Sequence, residues 1–164
     1  MTADGADLLP RLVGALRDHD IRFCVVGGQA VNAYVEPVVS LDLDLAVAAD
    51  QLPLVERLLR ERFTVERFSH RLNVSDSGSD LRVQIQLDPR YAAFPERVAE
   101  HDVLGVRLPV ARAQDVMQGK LWAVQDPGRR ASKRQKDLAD IARLIEAYPR
   151  LRAQIPADVL TKLL

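Results

Sequence analysis

Leu41-Asp42-Leu43-Asp44-Leu45 constrains the fold more than any other stretch of this chain, because three leucines alternate with two carboxylates. Side chains on a strand alternate faces, so the leucines share one face and Asp42 and Asp44 the other. Residues i and i+2 lie about 6.5–7 Å apart along a strand, close enough for both to ligate one cation or bracket a pair. Aspartate is disfavoured in strands and repels a like neighbour, so the arrangement costs stability unless something positive sits there. Solvated aspartates on the polar face of an edge strand are the plainer explanation.

The residues upstream point to a ligand. Ile21-Arg22-Phe23-Cys24-Val25-Val26 is a short apolar run with β-branched content, closed by Gly27-Gly28, and Gln29 to Val35 reads as helical. In a strand, Gly-Gly, helix order, glycines let the backbone approach a ligand and free N–H groups at the helix start attract anions. A tight strand-to-helix turn is the alternative. Pro37 ends the helical segment, Ser40 offers a hydroxyl, and the Asp pair follows. A phosphate cradle ahead of paired carboxylates suits metal-dependent phosphoryl or nucleotidyl transfer, in which Mg²⁺ or Mn²⁺ bridges carboxylates and phosphate oxygens.

Val26-Gly27-Gly28-Gln29-Ala30, then Ser40-Leu41-Asp42-Leu43-Asp44, resembles the minimal nucleotidyltransferase signature of the polymerase-β-like superfamily. The nearest branch is the AbiEii/MenT-type nucleotidyltransferases of bacterial toxin–antitoxin systems. That signature reads GG-x-A, then R-x-T-x-D-x-D; here Val38 replaces the arginine and Ser40 the threonine, so one basic contact is missing. Lys120-Leu121-Trp122-Ala123 is similar to the branch's K-x-x-A helix, and Lys136-Asp137-Leu138-Ala139-Asp140-Ile141 to its K-D-x-x-D-[IL] helix. The resemblance runs from about Phe23 to Ile145.

The superfamily places a third carboxylate on a later strand. The matching run here is Leu81-Arg82-Val83-Gln84-Ile85-Gln86-Leu87-Asp88, with Leu81, Val83, Ile85 and Leu87 on the apolar face. The acid position is therefore filled by Gln84, or by Gln86 if the register is off by one pair. An amide ligates through its carbonyl but takes no proton at pH 7. Asp88 is a candidate replacement at the strand end, although Pro89 makes that a turn. Either two strand acids work with helical residues, or the chain is a degenerate binder.

The resemblance implies a nucleotidyltransferase fold, NTP as substrate and roles for particular residues. Asp42 and Asp44 would hold the metal, while Gly27, Gly28, Ser40, Lys120 and Lys136 would contact the nucleotide. Lys120 would neutralise the leaving pyrophosphate, and Asp137 would supply the carboxylate missing from the strand, with Asp140 the alternative. The acceptor would be a tRNA 3′ end or a protein hydroxyl, and a toxin would have a cognate antitoxin protein. Without the resemblance, a lone helical lysine such as Lys120 faces solvent.

Charge is balanced overall, 23 basic against 23 acidic residues, so it selects no partner. It is locally uneven: Arg129-Arg130-Ala131-Ser132-Lys133-Arg134-Gln135-Lys136 crowds cations where a helix starts, the end at which the dipole disfavours them. Ser132 and Gln135 form a capping box, and Lys133–Asp137 and Lys136–Asp140 are i,i+4 pairs. An unfavourable placement invites an anionic ligand, a triphosphate or RNA backbone; a solvated basic turn is the alternative.

The element order is α/β: a small mixed sheet flanked by helices, with a helical C-terminal part. One domain is expected over 1–164, its core at about 5–110 and the helical part at about 111–164. Helices are expected over Asp7–Asp18, from an Asp50 cap to Arg62, Ala113–Val124, Ser132–Ala147 and near Pro156–Leu163. Further strands are expected at Phe63–Phe68, His70–Val74 and Val103–Leu108. A single cysteine, Cys24 in a buried-strand pattern, fits a reducing cytoplasm and a core role. The first four residues are unlike a leader, and no apolar run approaches the roughly 20 residues of a membrane span. His19, His70 and His101 lack metal-ligand spacing, and Trp122, Tyr34 and Tyr91 read as too dispersed for a base-stacking platform.

Overall fold

The alternation at Leu41–Leu45 resolves into the central strand of a seven-stranded mixed sheet. A computed structural model describes residues 5–163; residues 1–4, read above for a leader, and residue 164 lie outside them. The strands are β1 (Phe23–Val26), β2 (Asp42–Val47), β3 (Thr64–Arg67), β4 (Arg71–Ser75), β5 (Arg82–Gln86), β6 (Val98–Val103) and β7 (Val106–Ala111). Their order is β3-β4-β5-β2-β1-β7-β6. β2 runs antiparallel to β1 and parallel to β5, so Asp42 and Asp44 stand mid-sheet, not on the edge strand of the plainer reading.

Burial explains why this segment tolerates its carboxylates. Leu43 and Leu45 are fully buried, which contributes about 2 kcal/mol each. That outweighs a strand penalty of at most about 1 kcal/mol per aspartate. β1 is buried throughout, and Cys24 sits in it as a core residue whose thiol burial pushes up to about 12, too high for a nucleophile. Among the described residues no helix is long and apolar enough to cross a membrane.

Among the described residues six α-helices accompany the sheet: α1 (Gly5–Asp18), α2 (Gly27–Tyr34), α3 (Leu52–Arg60), α4 (Ala113–Gln125), α5 (Ala131–Ala147) and α6 (Ala157–Leu160). Leu8, Leu9, Leu12, Val13 and Leu16 of α1 and Val55, Leu58 and Leu59 of α3 are buried, as their spacing predicts. The helical C-terminal part is α4 to α6, whose inward residues join the same core cluster as the sheet.

Several local expectations give way to tertiary contacts. Asp50 does not cap α3; its carboxylate pairs with Arg22 at 2.7 Å. The Ser132/Gln135 capping box does not form, because α5 starts one residue earlier with Arg130 at the N-cap. Val103–Leu108 is not one strand but the bend of the β6–β7 hairpin, turned at Leu104 (φ 51°) and Gly105 (φ 81°). The first turn of α2 includes Gly27 and Gly28, two residues before its expected start.

Candidate active site

Gly27 leaves room for Asp44 that a side chain would fill. Gly27 has φ +70°, a left-handed conformation that favours glycine. A Cβ on it would stand 2.3 Å from Asp44 Oδ2, so the strand-to-helix turn is packed directly on the carboxylate. Val26, paired with Asp44 across β1–β2, delivers the turn to that spot. Asp44 as a residue borders the cleft, yet its Oδ1 is enclosed and has no hydrogen-bond partner. Burial pushes its carboxyl up to about 6, against Lys120 lowering it and Asp42 raising it further.

Asp42 is placed differently. It is part-exposed, and its Oδ1 accepts from Arg82 Nε at 2.7 Å. Ser40 Oγ accepts from the Asp42 backbone N–H at 3.2 Å, which ties the approach to β2. Gln29 Nε2 donates to the Ser40 carbonyl at 3.0 Å, so α2 and the start of β2 are tied together.

The register of β2 against β5 shows which glutamine stands beside the Asp pair. Asp44 pairs with Gln84 and Asp42 with Arg82, so Gln84, not Gln86, stands beside the Asp pair. Asp88 lies beyond the strand end and is taken by Arg90, which holds its carboxyl below the usual range. Among the described residues no cluster of three or more His, Cys, Asp or Glu side chains is arranged to hold a metal ion. Side by side on this strand pair stand the Asp42 and Asp44 carboxylates and the Gln84 amide.

Lining the same cleft through Lys120, Arg129 and Asp137 is a chain of ions from α4, α5 and the turn between them, buried at Lys120, Asp137 and Asp140. Lys120 Nζ donates to Asp137 Oδ1 at 3.1 Å and stands 2.8 Å from Asp140 Oδ2, a close ion contact without hydrogen-bond geometry. Lys120 is therefore enclosed, not solvent-facing as a lone helical lysine would be. Arg129 closes one end, with Nε to Asp137 Oδ2 at 2.8 Å and Nη2 to Oδ1 at 3.0 Å. Arg143 closes the other, with Nη2 to Asp140 Oδ1 at 2.8 Å. Asp137 and Asp140 thus pair with Lys120, Arg129 and Arg143 and not with Lys133 and Lys136, the i,i+4 partners expected from sequence. Both Asp137 oxygens are occupied.

Lys136 points elsewhere. A Cβ on Gly28 would lie 4.0 Å from Lys136 Nζ, which puts that ammonium over the Gly-Gly turn. One cleft of about 370 Å³ gathers Gly27, Gly28, Ser40, Asp42, Asp44, Gln84, Lys120, Lys136 and Asp137. That size suits a small-molecule ligand. A larger hollow of about 740 Å³, lined by Tyr34, Arg112, Tyr148 and Arg150 among others, holds no carboxylate.

The cleft also holds residues that carry no site signal in the sequence or were set aside there. Arg71 and Arg90 are of the first kind, His70, Tyr91 and Trp122 of the second, and Asp88, the candidate at the strand end, lines it as well. Tyr91 and Trp122 are not dispersed but meet edge to face at 5.2 Å, and Phe94 joins them. The only local hints were Pro89 and Pro95, which mark the turns that bring this loop back onto α4.

No family model matches the chain, and no curated protein matches its sequence. Solved structures do match. The antibiotic-resistance factor ANT(2'')-Ia is similar with a TM-score of 0.61 at 15% identity, over 90% of this chain and 89% of that one. The lincosamide antibiotic adenylyltransferase LnuA, solved with lincomycin bound, has a TM-score of 0.54 at 12% identity over 83% and 95%. An antigenic nucleotidyltransferase-like protein from Paracoccidioides brasiliensis has 0.53 at 19% over 82% and 73%. At these identities the likeness is one of architecture: the chain has the nucleotidyltransferase fold.

Proposed function

We propose that this protein is a metal-dependent nucleotidyltransferase, moving a nucleoside monophosphate from an NTP to an acceptor hydroxyl. The observation that carries the reading is Asp44 Oδ1, a buried carboxylate oxygen without a partner at the floor of a cleft shared with Gly28, Lys120 and Lys136. Such an orphan is costly unless a ligand completes it. Two carboxylates and an amide oxygen fit Mg²⁺ (or Mn²⁺), which binds through one or two carboxylates plus substrate phosphates. When bound, the metal would offset charge on the triphosphate and orient it.

The chain's own residues then have distinct tasks. Asp42 and Asp44 would hold the metal. Gly27, Gly28 and Ser40 line the path of the phosphates, with Lys136 above the glycines as counter-charge. Lys120 neutralises charge on the departing pyrophosphate, where preorganised electrostatics matter most. Asp137 is better suited to fixing Lys120 than to taking the acceptor's proton, since both its oxygens are engaged. With Gln84 at the third position, positioning and charge stabilisation carry the rate.

The acceptor is either an RNA 3′ end such as that of tRNA, as the toxin-type resemblance implies, or a small-molecule hydroxyl. ANT(2'')-Ia, solved with adenylyl-2''-tobramycin, represents the second class. The basic start of α5 supports an anionic partner. In the toxin reading a cognate antitoxin protein is a further partner, and the protein acts in the cytoplasm.

Isothermal titration of Mg²⁺ and each NTP, with the Asp42→Asn/Asp44→Asn variant alongside, tests the site. Metal-dependent binding to the wild type alone supports it; equal binding to both proteins refutes it. Gln84 favours a second reading, a degenerate member that binds NTP or RNA without turnover, and this predicts the same titration with no transfer under any metal.

A further inference from the structure

We infer that the guanidinium of Arg90 is the platform on which the base of the bound NTP stacks, an inference that rests on the nucleotide site proposed above. Three planar groups form a column. Phe94 and Trp122 stack with centroids 5.8 Å apart and planes 7° from parallel. Arg90 Cζ then lies 4.6 Å from the Trp122 centroid. Tyr91 braces the column edge-on, 5.3 Å from Phe94 and 5.2 Å from Trp122.

Asp88 fixes the orientation of the last member. Arg90 Nη2 donates to Asp88 Oδ2 at 2.8 Å, and Nε donates to Oδ2 at 3.0 Å and Oδ1 at 3.2 Å. The Arg90 backbone N–H donates to the same carboxylate at 3.0 Å. Two of the three guanidinium nitrogens are thereby used, so the Asp88 carboxylate fixes the plane of the group. What it still offers is a planar face, in a side chain 52% exposed and lining the same cleft as Gly28 and Lys136. A held guanidinium backed by an indole is a rigid surface for a base, and one that reads ring area more than hydrogen-bond pattern.

Trp122 is the chain's single tryptophan, so its emission reports on this column. The whole protein is titrated with Mg²⁺ and ATP, GTP, CTP or UTP, and with inorganic tripolyphosphate as a base-free probe. Each titration is read by calorimetry and by Trp122 fluorescence. The wild type should bind NTPs about tenfold more tightly than tripolyphosphate, purines ahead of pyrimidines, and only NTPs should change the emission. Arg90→Ala and Arg90→Lys should remove the advantage of the NTPs and leave tripolyphosphate affinity unchanged, which also reports that both variants fold. An Arg90→Ala variant that loses tripolyphosphate in step with NTP, or keeps the NTP advantage, overturns the inference. A wild type that binds tripolyphosphate and NTP equally overturns it alone; a wild type that binds neither also overturns the nucleotide site.

Discussion

Gln84 lies beside Asp44 in the parallel register of β5 against β2, so the row of side chains facing the cleft passes from a carboxylate to an amide. The amide supplies an oxygen for a cation but no charge. Gln84→Glu should therefore tighten Mn²⁺ binding by about tenfold, the effect of one more nearby carboxylate. Titration of the metal into variant and wild type checks this; unchanged or weaker affinity would move the cation site away from β5.

Asp44 makes stability depend on pH in a defined window. Its carboxyl titrates at about 6 in the folded metal-free protein, against an ordinary value of 3.8. Between these values the folded state keeps a proton that the unfolded chain releases. The stabilisation is full below the lower value and is lost as pH rises through about 6, by at most on the order of 3 kcal/mol. Urea unfolding of the apo protein should show this decline in the wild type and not in Asp44→Asn. Added Mg²⁺ should restore part of the loss at neutral pH.

Lys120 is the shared counter-ion of two enclosed carboxylates, Asp137 and Asp140. Lys120→Met removes their shared cation while Arg129 and Arg143 still pair with Asp137 and Asp140, and the expected destabilisation is about 1–3 kcal/mol. Adding Asp140→Asn to that variant should cost less than Asp140→Asn alone, because the Lys120–Asp140 contact is already gone. A chemical-denaturation series over the two single variants and the double variant measures the coupling. Strict additivity would mean that the lysine does not serve the pair.

Gly27→Ala should act on the metal through Asp44. The new methyl would overlap Asp44 Oδ2 and occupy a positive φ, which costs about 1–3 kcal/mol. Mg²⁺-dependent nucleotide binding should fall by much more than in Gly28→Ala, whose Cβ meets only the end of Lys136 at 4.0 Å. Calorimetry on both variants separates the two glycines.

What was legible in the sequence was what local periodicity encodes. A two-residue alternation places Leu43 and Leu45 in the core and the aspartates opposite, whatever the neighbouring strands do. Gly27 marks a turn because its backbone takes a left-handed conformation that other residues resist. Register was less visible: Gln84 and Gln86 are equivalent in pattern, and only pairing with β2 distinguishes them. The ion chain was half visible, since Lys120 and Asp137 were singled out. Their pairing was not, because it joins two helices and outcompetes the i,i+4 partners along α5. The column of Phe94, Trp122 and Arg90 left almost no local signal, since it assembles from a loop and a helix that carries its apolar residues for other reasons. Asp50 and Ser132 show the converse error, cap residues that a distant arginine or a shifted helix start put to other use.

Transfer itself is the most direct test of nucleotidyl chemistry at Asp42 and Asp44. The purified protein and its Asp42→Asn/Asp44→Asn variant are incubated with each α-labelled NTP, Mg²⁺ or Mn²⁺, total RNA and soluble lysate. Label should pass to an RNA, protein or small-molecule acceptor with the wild type only, revealing base preference and acceptor together. No transfer with any nucleotide or metal, or equal transfer by the variant, would contradict the account.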